Sequence, residues 1–259
     1  YTSKAICLDF DGLLHHDVYM VRELAERASD RAYRMLRQEI LELALSPGEM
    51  IAEVETAARL GISRTPLREA VGRLLADGLI VPEGARGVAV APISPEDVTA
   101  LTELREGLDT QAARLAALRG DPGTFARLAE EFAHLAASLP GPDGTQADHE
   151  ATYGLAARLD RAIDDAAASP ALAASLAQVR LRLARVRRLA QDRPARLAES
   201  ASEHRQIAES ISWRDPELAA NAVRVHLHRS LDHARRRLAE REAELSPDLT
   251  TLPSAKESA

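Results

Sequence analysis

Gly61-Ile62-Ser63-Arg64-Thr65-Pro66-Leu67-Arg68-Glu69-Ala70-Val71, followed by Gly78-Leu79-Ile80, is the stretch that decides the fold. It reads as a helix entered through a tight turn. Gly61 suits the turn because glycine tolerates positive φ. Ser63 or Thr65 is positioned to cap the helix, and Pro66 stands in its first turn, where a missing N–H costs little. Leu67, Val71, Leu74 and Leu75 recur at helical spacing and make one apolar stripe. Arg64 and Arg68, four residues apart, lie beside the stripe, and Arg73 lies on its other side. A short helix with one buried face and arginines on the remainder has the form of a major-groove reader.

The flanking sequence supports this. Ala32 to Leu45 is amphipathic through Leu36, Ile40, Leu41 and Leu43, and Ser46-Pro47-Gly48 is expected to stop it. Glu53 to Leu60 forms a second short helix, so that Gly61 is the turn of a helix-turn-helix. Leu79-Ile80-Val81 and Val88-Ala89-Val90 are two β-prone runs joined by Pro82-Glu83-Gly84-Ala85-Arg86-Gly87. They predict a hairpin wing with Arg86 near its tip.

Through Ser46-Pro47-Gly48-Glu49, the segment Leu60 to Ala70, and Asp77-Gly78-Leu79, residues of about 31–92 resemble the winged helix-turn-helix of the GntR family of bacterial transcription regulators. The resemblance implies DNA contacts from Arg64, Thr65 and Arg68 and from a wing glycine, Gly84 or Gly87; Arg73 and Arg86 are further candidates. One departure is visible. Val54 follows Glu53 where some members carry a base-reading arginine, so the outer operator base pairs are expected to be read differently.

The 259 residues suffice for a small and a larger domain, each with its own core. Aromatic residues make up only 3% of the chain, and Ala, Leu and Arg abound, a bias toward helix formers. No apolar run reaches the roughly 18 residues of a membrane span. One cysteine, Cys7, excludes an internal disulfide and suits a cytoplasmic protein. The net charge of −7 is unusual for a DNA binder, but residues 59–73 hold four arginines against Glu69, a local surplus of three. Charge on one face matters more than the total.

From Ser94 onward the pattern is helical. Ser94 with Asp97 resembles a capping box with the shorter acid. Leu101, Leu104, Leu108, Ala112, Leu115 and Leu118 follow at steps of three and four. Asp121-Pro122, Ser169-Pro170, Pro194 and Pro216 open further helices, and Pro140 to Gly144 reads as a loop. The expected fold class is mainly α: an N-terminal winged helix-turn-helix followed by an all-α helical bundle for effector binding and dimerisation. The expected boundaries are 29–92 for the winged unit, 93–245 for the bundle and 246–259 for a disordered polar tail.

The bundle resembles the FCD effector domain that accompanies fatty-acid-type GntR regulators. The carrying residues are Arg105 near Asp109, Leu159-Asp160-Arg161-Ala162-Ile163, Glu203-His204-Arg205-Gln206-Ile207 and Val223-Arg224-Val225-His226-Leu227. Many members hold a divalent metal on one Asp and three His. Here the Asp position is Ala156 and the first His position is Asp160, while His204 and His226 keep the family spacing. The resemblance thus implies a weakened site for one divalent ion of Zn, Ni or Mn type on Asp160, His204 and His226. Those groups equally suit a buried hydrogen-bond network without metal. Arg105 either clamps a ligand carboxylate bidentately or pairs with Asp109 one turn away. His233, two turns beyond His226, reads as a packed or rim residue.

Residues 1–28 read as an N-terminal extension, or as a non-native segment before a start at Met20. Lys4 to Leu13 resembles the first motif of haloacid-dehalogenase phosphatases, but that fold needs parallel strands the sequence does not supply. The expected function is a DNA-binding transcription regulator, a homodimeric repressor governed by a small carboxylate bound in the bundle. The competing expectation is a metal-dependent enzyme built on Asp160, His204 and His226. It lacks any further acid, base or nucleophile motif.

Overall fold

The computed structural model describes residues 28–84, 87–139, 146–190 and 194–245. The expectations for residues 1–27, the 140–144 loop, Arg86 and the 246–259 tail lie outside these. The chain divides between Pro92 and Ile93 into two compact units.

In the first unit, helix α1 runs over residues 28–41. It stops short of the expected Leu45 because Leu43 takes a positive φ of 62° and the chain folds back, Ala44 N–H donating to the Glu39 carbonyl at 2.9 Å. Strand β1 (Met50–Ile51), helix α2 (Glu53–Leu60) and helix α3 (Arg64–Ala76) follow. Gly61 closes α2 at φ 64°, and its N–H and that of Ile62 bond back to α2 carbonyls. Ser63 occupies the N-cap of α3 with extended backbone, yet no side chain caps the helix, which departs from the sequence expectation. Pro66 falls at the third helical position, where its missing N–H leaves no bond unmade.

Strands β2 (Ile80–Pro82) and β3 (Val88–Val90) form the wing. The antiparallel order is β1-β3-β2, with Met50 opposite Ala89 and Ile80 opposite Val90. Strand β1 was not expected; two residues are too few to carry a period, and only pairing with β3 makes them a strand. Pro82 sits on the edge strand, where it breaks no ladder bond. Leu36 and Ile40 of α1, Leu67 and Leu74 of α3, and Leu79, Ile80 and Val90 of the wing are buried together as the core of this unit.

The second unit is all helical: α4 (Pro95–Arg119), α5 (Pro122–Ser138), α6 (Gln146–Ala167), α7 (Pro170–Ala190), α8 (Pro194–Ser212) and α9 (Pro216–Leu245). Every one except α6 begins at proline. Ser94 Oγ accepts the Asp97 N–H at 3.0 Å, and Asp121 Oδ2 accepts that of Thr124 at 2.8 Å, so α4 and α5 are capped by side chains. Helix α5 packs on α8, and α4 on α9. The α4 face of Ala112, Ala113, Ala116 and Ala117 lets its neighbours approach closely, and Phe125, Phe132, Leu159, Leu176 and Ile211 fill the space around it. A second apolar cluster, Val98, Val179, Leu183, Val186, Ala234 and Leu238, lies apart from the first. Polar groups collect between the two.

Candidate functional site

Two places concentrate chemistry, one in each unit. The first is the amino-terminal end of α3. Arg64 and Arg68 reach outward with side chains 58% and 60% exposed, one helical turn apart. Both converge on Glu53, at the start of α2. Its Oε2 accepts Arg68 Nε at 2.9 Å and lies 3.6 Å from an Arg64 terminal nitrogen. Thr65 between them is exposed. Two guanidinium groups beside the N–H groups of a helix start make a positive surface suited to phosphate and base edges. Gly84 of the wing is exposed with φ 58°, and a Cβ there would meet nothing within 4 Å. Its glycine character therefore answers to backbone conformation.

Arg73 is placed differently. Its Nη1 donates to Asp30 of α1 at 2.6 Å, and its guanidinium carbon sits 3.9 Å from the Tyr33 ring centroid. Tyr33 in turn donates to Asp77 at 2.5 Å. Arg73 thus links α1 to α3, with its side chain still 47% exposed. Glu53 was missed by the sequence reading. Its signal was an acid at the first position of α2, fifteen residues ahead of Arg68.

The second place is a cavity of about 90 Å³ inside the bundle, into which α4, α6, α7, α8 and α9 project side chains. At roughly 30 Å³ of liquid volume for each water, it has room for about three waters, the scale of a small metabolite's polar head. Arg105, Asp160, His204 and His226 all line it, so the structure gathers every expected residue of the bundle around one space. His233 lines it too.

A buried ion cluster stands behind Arg105 and Asp160. Arg105 Nε donates to Asp109 Oδ2 at 2.6 Å, and Arg180 donates to Asp109 Oδ1 at 2.8 Å and to Asp164 at 2.6 Å. Arg180 Nε lies 3.5 Å from Asp160 Oδ2, a long ion pair. Burial works against charge on Asp109, but Arg105 and Arg180 together hold its pKa below the ordinary value. Burial likewise disfavours charge on Arg180, and the three surrounding carboxylates outweigh it and raise its pKa. Arg105 thus has the partner that the sequence offered as one alternative, and it faces the cavity as well.

The histidines have their own supports. His204 Nδ1 donates to the Ser200 carbonyl at 2.7 Å, and its ring stacks on Phe132 at 5.3 Å between centroids. Burial, with His226 nearby, pushes its pKa well below the usual range, so the ring is neutral and Nε2 is a bare acceptor. The His226 ring lies 4.3 Å away, and its Nδ1 faces Glu203 Oε2 at 2.8 Å. Glu203 is 2% exposed and accepts both terminal nitrogens of Arg196 at 2.8 and 2.9 Å. Burial opposes its charge, yet the His226 and Arg196 hydrogen bonds hold its pKa down at about 2. An ionised Glu203 requires the proton of His226 on Nδ1. Glu203 and Arg196, unassigned in the sequence, are two helical turns apart on α8, a spacing that could have paired them.

This arrangement bears on the metal that the resemblance implied. Catalytic and regulatory zinc-type sites use three protein donors or more. Among the described residues no group of three or more His, Cys, Asp and Glu is gathered so as to hold an ion. His204 and His226 come together as expected, but Asp160 does not complete a set with them, and its carboxylate sits against Arg180. Ala156, in the family's carboxylate position, presents only a methyl group to the cavity. The donor set does not fit a protein-held divalent ion.

Comparison with known proteins gives the wider setting. Residues 28–90 match the model of bacterial regulatory proteins of the gntR family, and residues 100–229, half of the chain, match the FCD domain. An HTH-type transcriptional regulator in an unstable DNA locus of Streptomyces ambofaciens is 28% identical over 221 residues, covering 85% of this chain and 91% of its own length. The HTH-type transcriptional repressor RspR of Escherichia coli is 35% identical over 89 residues, 34% of this chain and 39% of that protein. Among solved structures, Escherichia coli McbR/YncC superposes with a TM-score of 0.64 at 20% identity, over 82% of this chain and 98% of its own, which shows a shared fold. With an exposed arginine pair at a helix start and a wing in its first unit and a helical bundle in its second, the chain belongs to the GntR family of bacterial regulatory proteins, with an FCD domain, and is a DNA-binding transcription regulator.

Proposed function

We propose that the protein is a repressor that binds a pseudo-palindromic operator as a homodimer and is controlled by a small carboxylate in the bundle cavity. The exposed Arg64 and Arg68 pair, steered by Glu53, carries the DNA part of this reading. Thr65 and Gly84 belong to the same contact, as does Arg86 by its place in the sequence. By family resemblance the half-sites contain GT and AC steps. The domain boundaries proposed from the sequence, 29–92 and 93–245, fit this division of labour, and the protein acts in the cytoplasm. No helix among the described residues is long and apolar enough to cross a membrane.

Repression is supported by RspR, a relative named as a repressor. Arg105, facing the cavity, supports a carboxylate effector. Two-fold operators require two recognition helices related by symmetry. The bundle offers a face for that pairing: Leu104 and Leu118 of α4 and Leu218 and Val225 of α9 are exposed, each pair at multiples of seven residues. Arg114 with Glu217, and Arg224 with Glu106, hold the two helices together beside them. Gel shift of DNA flanking the protein's own coding region, with and without a panel of small carboxylates, tests the whole reading. A shifted band that weakens with one carboxylate is expected; no shift at low salt would overturn it.

A further inference from the structure

The cavity's polar groups are a mixed set. Arg105 gives Nε to Asp109 and, among the described residues, has no other acid against it, which leaves its terminal nitrogens for a ligand. Asp160 lines the same cavity, and among the described residues the ion pair of its carboxylate is the 3.5 Å contact with Arg180, beyond hydrogen-bond reach. His204 and His226 use their Nδ1 atoms on Ser200 and Glu203. Each therefore offers a bare Nε2 in its neutral form. One donor fork and three acceptors thus line the same cavity.

Charge points the same way. Arg105 and Arg180 face Asp109, Asp160 and Asp164, two cations against three carboxylates, so the ionised cluster carries one net negative charge. A plain carboxylate adds a second negative charge to this interior, which is costly unless it is compensated. Where relatives have a metal to supply that compensation, this chain lacks the donors. Two more arginines line the cavity outside this cluster: Arg187, exposed and over the Tyr153 ring at 5.9 Å, and Arg196, which is paired with Glu203. The remaining wall is apolar: Val98, Leu183, Val186, Leu227, Leu231 and Ala234.

We propose that the effector is an apolar α-amino acid, or a molecule built like one, held as a zwitterion. Its carboxylate sits on Arg105 and its ammonium group against Asp160, with the Nε2 acceptors of His204 and His226 lining the same cavity. The ammonium takes over the charge that a metal supplies elsewhere, and the side chain lies along the apolar wall. The apolar wall suits the side chain of valine, leucine, isoleucine or methionine. This rests on the proposal of a carboxylate effector and sharpens it.

Calorimetric titration of the full-length protein separates the two. The ligands are those four amino acids, and for leucine its two halves, 4-methylpentanoate and 3-methylbutylamine. At least one amino acid should bind, and leucine or its best-fitting relative should bind ten-fold or more tightly than the corresponding deaminated acid or decarboxylated amine. Asp160→Asn, checked for an unchanged melting temperature, should abolish the advantage of the amino acid over the acid while leaving the acid's affinity in place. Arg105→Gln should weaken both and spare the amine. If 4-methylpentanoate binds as tightly as leucine, and Asp160→Asn changes neither, the zwitterion is wrong and a carboxylate effector stands. If no ligand of the set binds, the zwitterion proposal fails, and the carboxylate reading loses its support in this cavity.

Discussion

Glu203 Oε2 and His226 Nδ1 meet at 2.8 Å across α8 and α9, inside a bundle where Glu203 has almost no access to water. The same carboxylate holds Arg196 by both terminal nitrogens, so one acid satisfies two helices. Glu203→Gln removes a charge and leaves Arg196 buried beside a neutral amide. Breaking one partner of a buried pair costs about 3–5 kcal/mol. Urea unfolding should show that loss, with Glu199→Gln, on the exposed side of the same helix, nearly neutral.

Acid should weaken the fold in two windows. His204 is neutral in the folded protein and has its pKa well below 6.5, while the unfolded chain takes up a proton near 6.5. Its contribution is present above 6.5 and is lost as pH falls from there, by up to about 1.4 kcal/mol per pH unit. Glu203, held at about 2 against an ordinary 4.5, adds a second loss only below 4.5. Melting temperatures from pH 8 to 4 should fall in that order, and His204→Gln should flatten the upper window.

For the DNA surface, Arg64→Ala and Arg68→Ala should each weaken specific binding by roughly 1–3 kcal/mol. Arg73→Ala should act on stability instead, since its partners are Asp30 and Tyr33. Anisotropy titrations at fixed salt, paired with melting curves, distinguish the two. Normal affinity in both Arg64 and Arg68 variants would remove α3 from the role of reader.

Pairing of the bundles should fail when charge enters the α4–α9 face. Leu104→Asp combined with Val225→Asp is expected to halve the mass measured by light scattering and to weaken operator binding. Both positions are exposed, so the folded monomer should keep its melting temperature within a few degrees.

Purified protein should carry well under one metal ion per chain, and a chelator should leave its melting temperature unchanged. Ala156→Asp with Asp160→His restores the four-donor pattern of the family and should raise metal content in elemental analysis. Equal, near-zero content in both would leave His204 and His226 with their hydrogen-bonding and ligand-facing roles alone.

What the sequence disclosed followed periodicity and covalent geometry. The apolar stripe from Leu67 to Leu74, the turn at Gly61 and the Ser94 cap are local, and local rules locate them. The end of α1 escaped because Leu43 adopts a left-handed conformation that local preference argues against. Strand β1 escaped because its paired residues on β3 are 39 and 37 positions away. In the bundle, His204 and His226 were found by resemblance, whereas Arg180, which ties Asp109 to Asp160 and Asp164, joins groups 71, 20 and 16 residues distant. No helical period reveals such a bond. Only packing does.

Prolines at the starts of α4, α5, α7, α8 and α9 carry a consequence for synthesis. A proline sets its own φ and forbids the helix from extending upstream, so each start is written locally and can form as the nascent chain leaves the ribosome. Packing cannot keep pace. The alanine face of α4 has α9 as a main neighbour, and α9 begins only at Pro216. At roughly 5–20 residues per second, α4 waits about 5–20 s for it. During that interval a correctly bounded but uncovered helix depends on α5, α6 and chaperones to stay out of wrong partnerships.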